Sequence, residues 1–281
     1  MPFVAIVGAG PLGGAVAHKL AARGHIREIR LIDPDERIAA GKALDILQSA
    51  PIESFSTHLS GTGALAAAAG AAAIVVADRA NGTGEHSGEA GLAALRQLTA
   101  IESTSPIVFA GAAQRELIAR GIRELSIGSG RLIGSAPLAL ESAVRSLAGL
   151  ALDASGVDVG LTVVGIPPRS AVVAWEEASL SGQPLTAHLP PHEIAALEAR
   201  VPGLWPPGPY ALASAASRVV EAIVRGSRRY LSCFAADDRG VVSAVGVELS
   251  ADGVRRIAPA VLTRQERTRL ENALAGRGVE P

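Results

Sequence analysis

The stretch FVAIVGAGPLGGAVAHKLAARGHIREIRLID, residues 3–33, decides the fold. Phe3 to Val7 is a short apolar run without alternation, the pattern of a strand covered on both faces of a parallel sheet. Glycines follow at once, and Gly8-Ala9-Gly10-Pro11-Leu12-Gly13 spells G-x-G-x-x-G. From Pro11 to Arg23 the residues Leu12, Val16 and Leu20 recur every four positions, one face of a helix that Gly24 can close. Ile29 to Ile32 is the next apolar strand and ends at Asp33. A strand, glycine turn, helix and strand within ~30 residues make a βαβ unit.

In that context the loop reads as a phosphate-binding turn. Gly8 permits the tight turn, Gly10 lets the backbone approach a pyrophosphate, and Gly13 lets the helix pack closely on the sheet. Pro11 and Leu12 open the helix, whose free N–H groups and dipole attract the phosphates. Asp33 would accept hydrogen bonds from the adenosine ribose and repel a 2′-phosphate, which favours NAD over NADP. Each has a plainer alternative: a tight strand-to-helix turn needs small residues in any case, and Asp33 is a strand-end residue before Pro34.

Outward from this unit, Gly41 to Gln48 predicts a helix stopped by Pro51, since proline disfavours helix at the preceding residue. Ile74 to Ala77 predicts a third buried strand, Pro106 to Ala110 a fourth and Arg131 to Gly134 a fifth. Alternating strands and helices are the signature of a doubly wound parallel sheet. After about residue 150 the pattern changes. Val157 to Val164, Tyr230 to Ala236, Val241 to Leu249 and Val254 to Ala258 predict strands, and the turns among the last three suggest antiparallel hairpins. Val245, Val247 and Leu249 fall on one face, as in a half-solvated sheet. Pro191 to Arg200 predicts a helix, Pro202 to Pro209 a proline-rich turn, and Ala211 to Arg225 a longer helix striped by Val219, Val220, Ile223 and Val224. The final helix opens with Thr263-Arg264-Gln265-Glu266, a capping box.

Composition narrows the class. The 281 residues are 48% hydrophobic and 19% charged with net charge −1, which excludes a disordered chain and gives no electrostatic footprint for nucleic acid. Ala64 to Ala77, the longest uncharged apolar stretch, is short of the ~20 residues that span a bilayer, so no membrane helix is expected. The N-terminus lacks a basic region ahead of its apolar run, so no secretory signal is expected. Cys233 is the single cysteine, which rules out an internal disulfide and a cysteine zinc site and points to the cytoplasm. No residue spacing suggests a metal site.

The chain resembles the lactate/malate dehydrogenase family, in its malate-dehydrogenase-like branch. The resemblance rests on GAGPLGGAVAHKLA (8–21), LIDPDERIAAGKALDILQSAPI (31–52), RLIG (131–134) and PYALASAASRVVEAIVRGSRRYLSC (209–233). It implies an α/β protein with an NAD-binding Rossmann domain over residues 1–148, followed by an α+β substrate-type lobe with antiparallel hairpins over 149–281. It further implies NAD as cofactor, a small 2-hydroxy or 2-oxo carboxylate as substrate, and a homodimer paired through helices that include the GKALD segment.

Members of the family move a proton with a histidine held by an aspartate, and clamp the substrate carboxylate with arginines. Their histidine motif corresponds to Gly165-Ile166-Pro167-Pro168-Arg169, with Pro167 at the histidine position. Their arginine-bearing loop corresponds to residues 78–88, where Asn81 and Ser87 stand nearest the arginine positions and Arg79 is displaced. The substrate-contacting asparagine falls at about Gly111. Glu141 can replace the aspartate with one inserted residue, which puts Val144 at the arginine position and Arg145 beside it. Glu141, Arg145 and Arg169 are therefore the residual catalytic candidates; the arginines also read as ordinary surface cations, since only Lys19 and Lys42 of the 26 basic residues are lysine. His86 sits in a glycine-rich loop where a lid would lie and reads as an exposed residue, with Glu85-His86 as a substitute acid/base pair the alternative, while Cys233 reads as core. Three functions remain, the first two being an NAD-dependent oxidoreductase with a diverged substrate and a catalytically silent NAD(H)-binding sensor or partner subunit. In a third, the cofactor site is vestigial and the fold is an interaction scaffold.

Overall fold

The computed structural model describes residues 2–82 and 84–275. The opening unit forms as read: β1 (Val4–Val7), α1 (Pro11–Ala22) and β2 (Glu28–Ile32). There follow α2 (Glu36–Glu53), β3 (His58–Thr62), β4 (Ala73–Val76), α3 (Gly88–Ile101), β5 (Ile107–Phe109), α4 (Arg115–Leu125) and β6 (Leu132–Gly134). The second half comprises α5 (Ala136–Ala151), β7 (Val159–Gly160), β8 (Val163–Ile166), β9 (Ser170–Val173), β10 (Ser179–Leu180), β11 (Gln183–Pro184) and α6 (Pro191–Arg200). It ends with α7 (Pro209–Arg225), β12 (Tyr230–Ala236), β13 (Val242–Ser250), β14 (Gly253–Ala258) and α8 (Arg264–Ala275).

An eleven-stranded sheet runs in the order β3-β2-β1-β4-β5-β6-β12-β13-β8-β9, with β14 paired to β13. The strands from β3 to β6 are parallel. β12 joins β6 antiparallel through Phe234 and Gly134, and the remaining pairs are antiparallel. The chain is thus an α/β protein with a doubly wound parallel sheet extended by antiparallel hairpins. Ile6, Leu31, Ile74 and Phe109 on the parallel strands are buried to 2% exposure or less. A smaller cluster gathers Leu140 and Val144 of α5 with Val163, Val173 and Trp175. The order reverses between β1 and β4, and an open α/β sheet leaves a crevice at the carboxyl ends of the strands flanking such a switch point. Gly8 follows β1 there, and Asp78 follows β4.

Four readings need correction. Helix α2 starts at Glu36, because the Asp35 carboxylate accepts from the Ile38 N–H, and it runs through Pro51 to Glu53. The proline sits in the last turn on the exposed side, and Ser54 closes the helix in the left-handed region (φ 60°). Strand β3 was not foreseen; its polar HLSGT sequence lies at the sheet edge, where one neighbour suffices, and it makes Ile74 part of the fourth strand. Val157 to Val164 splits into β7 and β8, which belong to different sheets. The β13 face opposite Val247 is covered as well, with Ala244 and Glu248 buried beside neighbouring strands and arginines. The capping box on α8 forms: Thr263 Oγ1 accepts from the Glu266 N–H (3.2 Å), and the Thr263 N–H donates to Glu266 (2.7 Å).

Candidate functional site

Helix α1 begins at the switch point with no polar cap of its own, since its N-cap is Gly10 and its first turn carries no acidic residue. A helix start exposes unpaired N–H groups and the positive end of the dipole. Here a carboxylate from the far side of the switch point satisfies them. Asp78 Oδ1 accepts from the Gly13 N–H (2.9 Å) and Oδ2 from the Leu12 N–H (3.2 Å). The Asp78 backbone closes the same contact, because its carbonyl accepts from the Gly10 N–H at 2.9 Å.

The glycines hold the loop against this neighbour. Gly8 lies at φ +111°, in the region that side chains disfavour, and a Cβ there would strike the Asp78 carbonyl. A Cβ on Gly13 would strike the Gly8 carbonyl, and one on Gly10 would strike the Asp78 carboxylate itself. Pro11 occupies the first turn of α1, exposed, and Leu12 is buried. Lys42 donates to the Gly10 carbonyl (2.9 Å) from α2. A pyrophosphate laid on this helix start would meet Asp78 on the same N–H groups, so the cradle does not fit that group with Asp78 in place.

Asp33 is 2% exposed. Its Oδ2 accepts from the Ala9 and Ala80 N–H groups (2.9 Å each), and its Oδ1 from the Asp35 N–H (3.0 Å). The residue ties the glycine loop, the end of β2 and the segment after β4 together, and its oxygens are engaged before any ribose arrives. Asn81 reaches Asp35 at 2.7 Å from the same segment.

Glu85 reaches the turn that follows β5 and interacts electrostatically with Asp78. Its two oxygens accept from the Ala112 and Ala113 N–H groups, 2.7 Å each, and its carboxyl packs on Gly111, where a Cβ would not fit. Burial raises its pKa, the two backbone hydrogen bonds oppose that shift, and the charge of Asp78 adds to it. His86 is 6% exposed, which corrects its reading as an exposed loop residue. The side chain lines a small apolar pocket together with Val7, Val76, Leu95, Phe109 and Leu117, and neither ring nitrogen has a partner among the described residues. Burial lowers its pKa, Arg79 lowers it further, and Asp33 and Asp78 pull it back up.

Of the residual catalytic candidates, Glu141 and Arg145 come together and Arg169 does not. Glu141 and Arg145 face each other one turn apart on α5, 3.7 Å between charged atoms, and line a cavity of about 500 Å³ with Arg23, Arg218 and Arg228. Arg169 is exposed on the β8–β9 turn beside buried Pro167 and does not line that cavity; Arg79 is exposed too. Burial pushes the Glu141 carboxyl up to about 7, against a hydrogen bond with Ser232 and the charge of Arg145, and Glu177 adds to the rise. The other histidines lie away from the β8–β9 turn in the chain: His18 pairs with Glu53 (3.0 Å), and His25, His58, His188 and His192 are exposed. Cys233 is fully buried, and burial raises its pKa. Among the described residues no cluster could hold a metal ion, and no helix is long and apolar enough to cross a membrane.

No family model matches the sequence. Full-length relatives do. The malate dehydrogenase of Chlorobium phaeobacteroides is 28% identical over 276 residues, covering 90% of this chain and 89% of that one. The malate dehydrogenase of Thermomicrobium roseum is 26% identical over 294 residues, covering 96% and 94%. The fold agrees over the same length: malate dehydrogenase from Salinibacter ruber superposes with a TM-score of 0.86 at 22% identity, covering 98% of this chain and 94% of that one. Over nearly its whole length the chain is similar to malate dehydrogenases, and its fold is that of the lactate and malate dehydrogenases. A further structural neighbour is the lactate dehydrogenase of Cryptosporidium parvum, complexed with lactic acid and nicotinamide adenine dinucleotide (TM-score 0.86, 18% identity, 99% and 96% covered).

Within the family frame, the residues that fill this cleft are ones the sequence reading passed over. In the sequence Asp78 is only a member of the 78–88 loop, and Glu85 figures only beside His86. A signal for Asp78 was present: an acidic residue two places after a buried strand, at the carboxyl edge of a parallel sheet, faces whatever the first βα turn presents.

Proposed function

We propose that this chain is a catalytically silent member of the lactate/malate dehydrogenase family, with residues 1–148 as the dinucleotide-type domain and 149–281 as the substrate-type lobe. The β8–β9 turn carries the reading. Where the resemblance calls for a proton-carrying histidine, it offers buried Pro167 and exposed Arg169. Removing a general base costs roughly 10²–10⁴-fold in rate, and loss of clamping arginines adds the cost of orientation. By family relationship the dinucleotide would be NAD and the small molecule a 2-oxo carboxylate. A cytoplasmic homodimer paired through α2 is consistent with Leu44 and Ile52, which are exposed on that helix.

One observation favours a second reading, an oxidoreductase with a diverged 2-oxo acid. Glu141 titrates near 7, a value suited to proton transfer at neutral pH, and Arg145 beside it could meet a carboxylate. Oxaloacetate and pyruvate reduction with NADH separates the two. The silent reading expects turnover at least about a thousand-fold below a typical enzyme rate of ~10 s⁻¹. A rate near that value overturns it.

A further inference from the structure

We propose that Asp78 is an internal anion that competes with a dinucleotide's pyrophosphate for the start of α1. The inference rests on the family reading of the glycine loop and goes beyond silence in turnover, since it concerns binding. Three observations carry it. The first is identity of donors: the N–H groups that a phosphate takes at such a helix start are those of Leu12 and Gly13, and both already donate to Asp78. The second is space. The bare Cα of Gly10, which in a dinucleotide loop admits the pyrophosphate, is covered by the Asp78 carboxylate, so that even a methyl group there would collide with it. The third is anchorage and charge. Neither end of Asp78's backbone is free to drift, because its carbonyl accepts from Gly10 and the next residue but one, Ala80, donates to Asp33. Asp33 and Glu85 add negative charge around the cleft, while the Lys42 ammonium is bonded to the Gly10 carbonyl.

A carboxylate tethered in the chain has a high effective concentration at its own cradle, so a free dinucleotide must displace it before making the same bonds. Removing charge and bulk should therefore reveal the site. The experiment is a titration with NADH, read by nucleotide fluorescence and by ligand-induced shift of the melting temperature, on the wild-type chain, Asp78→Ala and Asp78→Asn. The expected result is weak wild-type binding, at least a ten-fold lower Kd for Asp78→Ala, and a smaller gain for Asp78→Asn, which keeps the bulk and loses the charge. Asp78 also caps α1, so a lower melting temperature without ligand is expected in the alanine variant; if it does not fold, the asparagine variant carries the comparison. Equal affinity across the folded proteins, whether measurable or absent, overturns the proposal. Tight wild-type binding without oxaloacetate or pyruvate reduction would overturn this competition and leave the silent reading standing, whereas brisk turnover would defeat that reading separately.

Discussion

Asp78 caps helix α1 through the N–H of Gly13, 2.9 Å from its Oδ1, across 65 residues of chain. The relationship makes a helix start depend on a strand that pairs beside it, so local and tertiary stability are coupled at one carboxylate. Gly10→Ala should cost about 1–3 kcal/mol, the usual range for overpacking. In an Asp78→Ala background the same change should cost less than about 1 kcal/mol, because the group it strikes is gone. Gly13→Ala collides with backbone and should cost as much in either background. Denaturant unfolding of the variants, singly and combined, gives the coupling, and an additive Gly10–Asp78 cycle would contradict the geometry.

Asp33 holds three backbone N–H groups from three segments while almost fully buried. Asp33→Ala should therefore destabilise the fold by about 2–4 kcal/mol, since each buried donor left unpaired has a desolvation penalty. Thermal unfolding without any nucleotide reads this directly. A melting temperature equal to wild type would show that Asp33 has no structural task.

His86 is buried with neither ring nitrogen partnered among the described residues, and burial lowers its pKa from 6.5. In the window just below 6.5 the unfolded chain therefore binds the proton more readily than the folded one. Stability linked to this group is present above that window and declines on acidification through it. His86→Leu should flatten the decline and add about 1–2 kcal/mol near neutral pH, because an apolar pocket receives an apolar side chain. Melting curves from pH 5 to pH 8 provide the check; a variant with the wild-type slope would remove His86 from the account.

Glu141 titrates in the opposite sense. Its folded pKa, raised from 4.5 to about 7, means that the folded chain holds a proton which the unfolded chain releases. The contribution to stability is fully present below pH 4.5 and is lost as pH rises through about 7. Glu141→Gln should match wild type at pH 4.5 and exceed it at pH 9 by on the order of 3 kcal/mol at most, from ~1.4 kcal/mol per pKa unit. A difference that does not change with pH would refute the assignment.

Much of the architecture is legible residue by residue. The unbroken apolar runs of β1 and β2, the four-residue spacing in α1, the stripe of α7 and the box at Thr263 are local patterns, set by burial on two faces, by helical pitch and by unpaired helix donors. Strand β3 is less legible because an edge strand needs no hydrophobic code. The end of α2 misleads because a proline in the last exposed turn disrupts far less than one in mid-helix.

The sequence by itself determined the βαβ unit, the alternation that makes a doubly wound sheet, the family resemblance and the absence of histidine from the Gly165–Arg169 turn. Only the tertiary structure decided what fills the cleft. Asp78, Asp33 and Glu85 are ordinary loop acids until β2, β1, β4 and β5 pair side by side and bring backbone N–H groups at their carboxyl ends within 2.7–3.2 Å of them. Spacing along a chain records helix and strand periods, whereas a carboxylate finds a helix start through strand pairing, and that distance exists only in three dimensions.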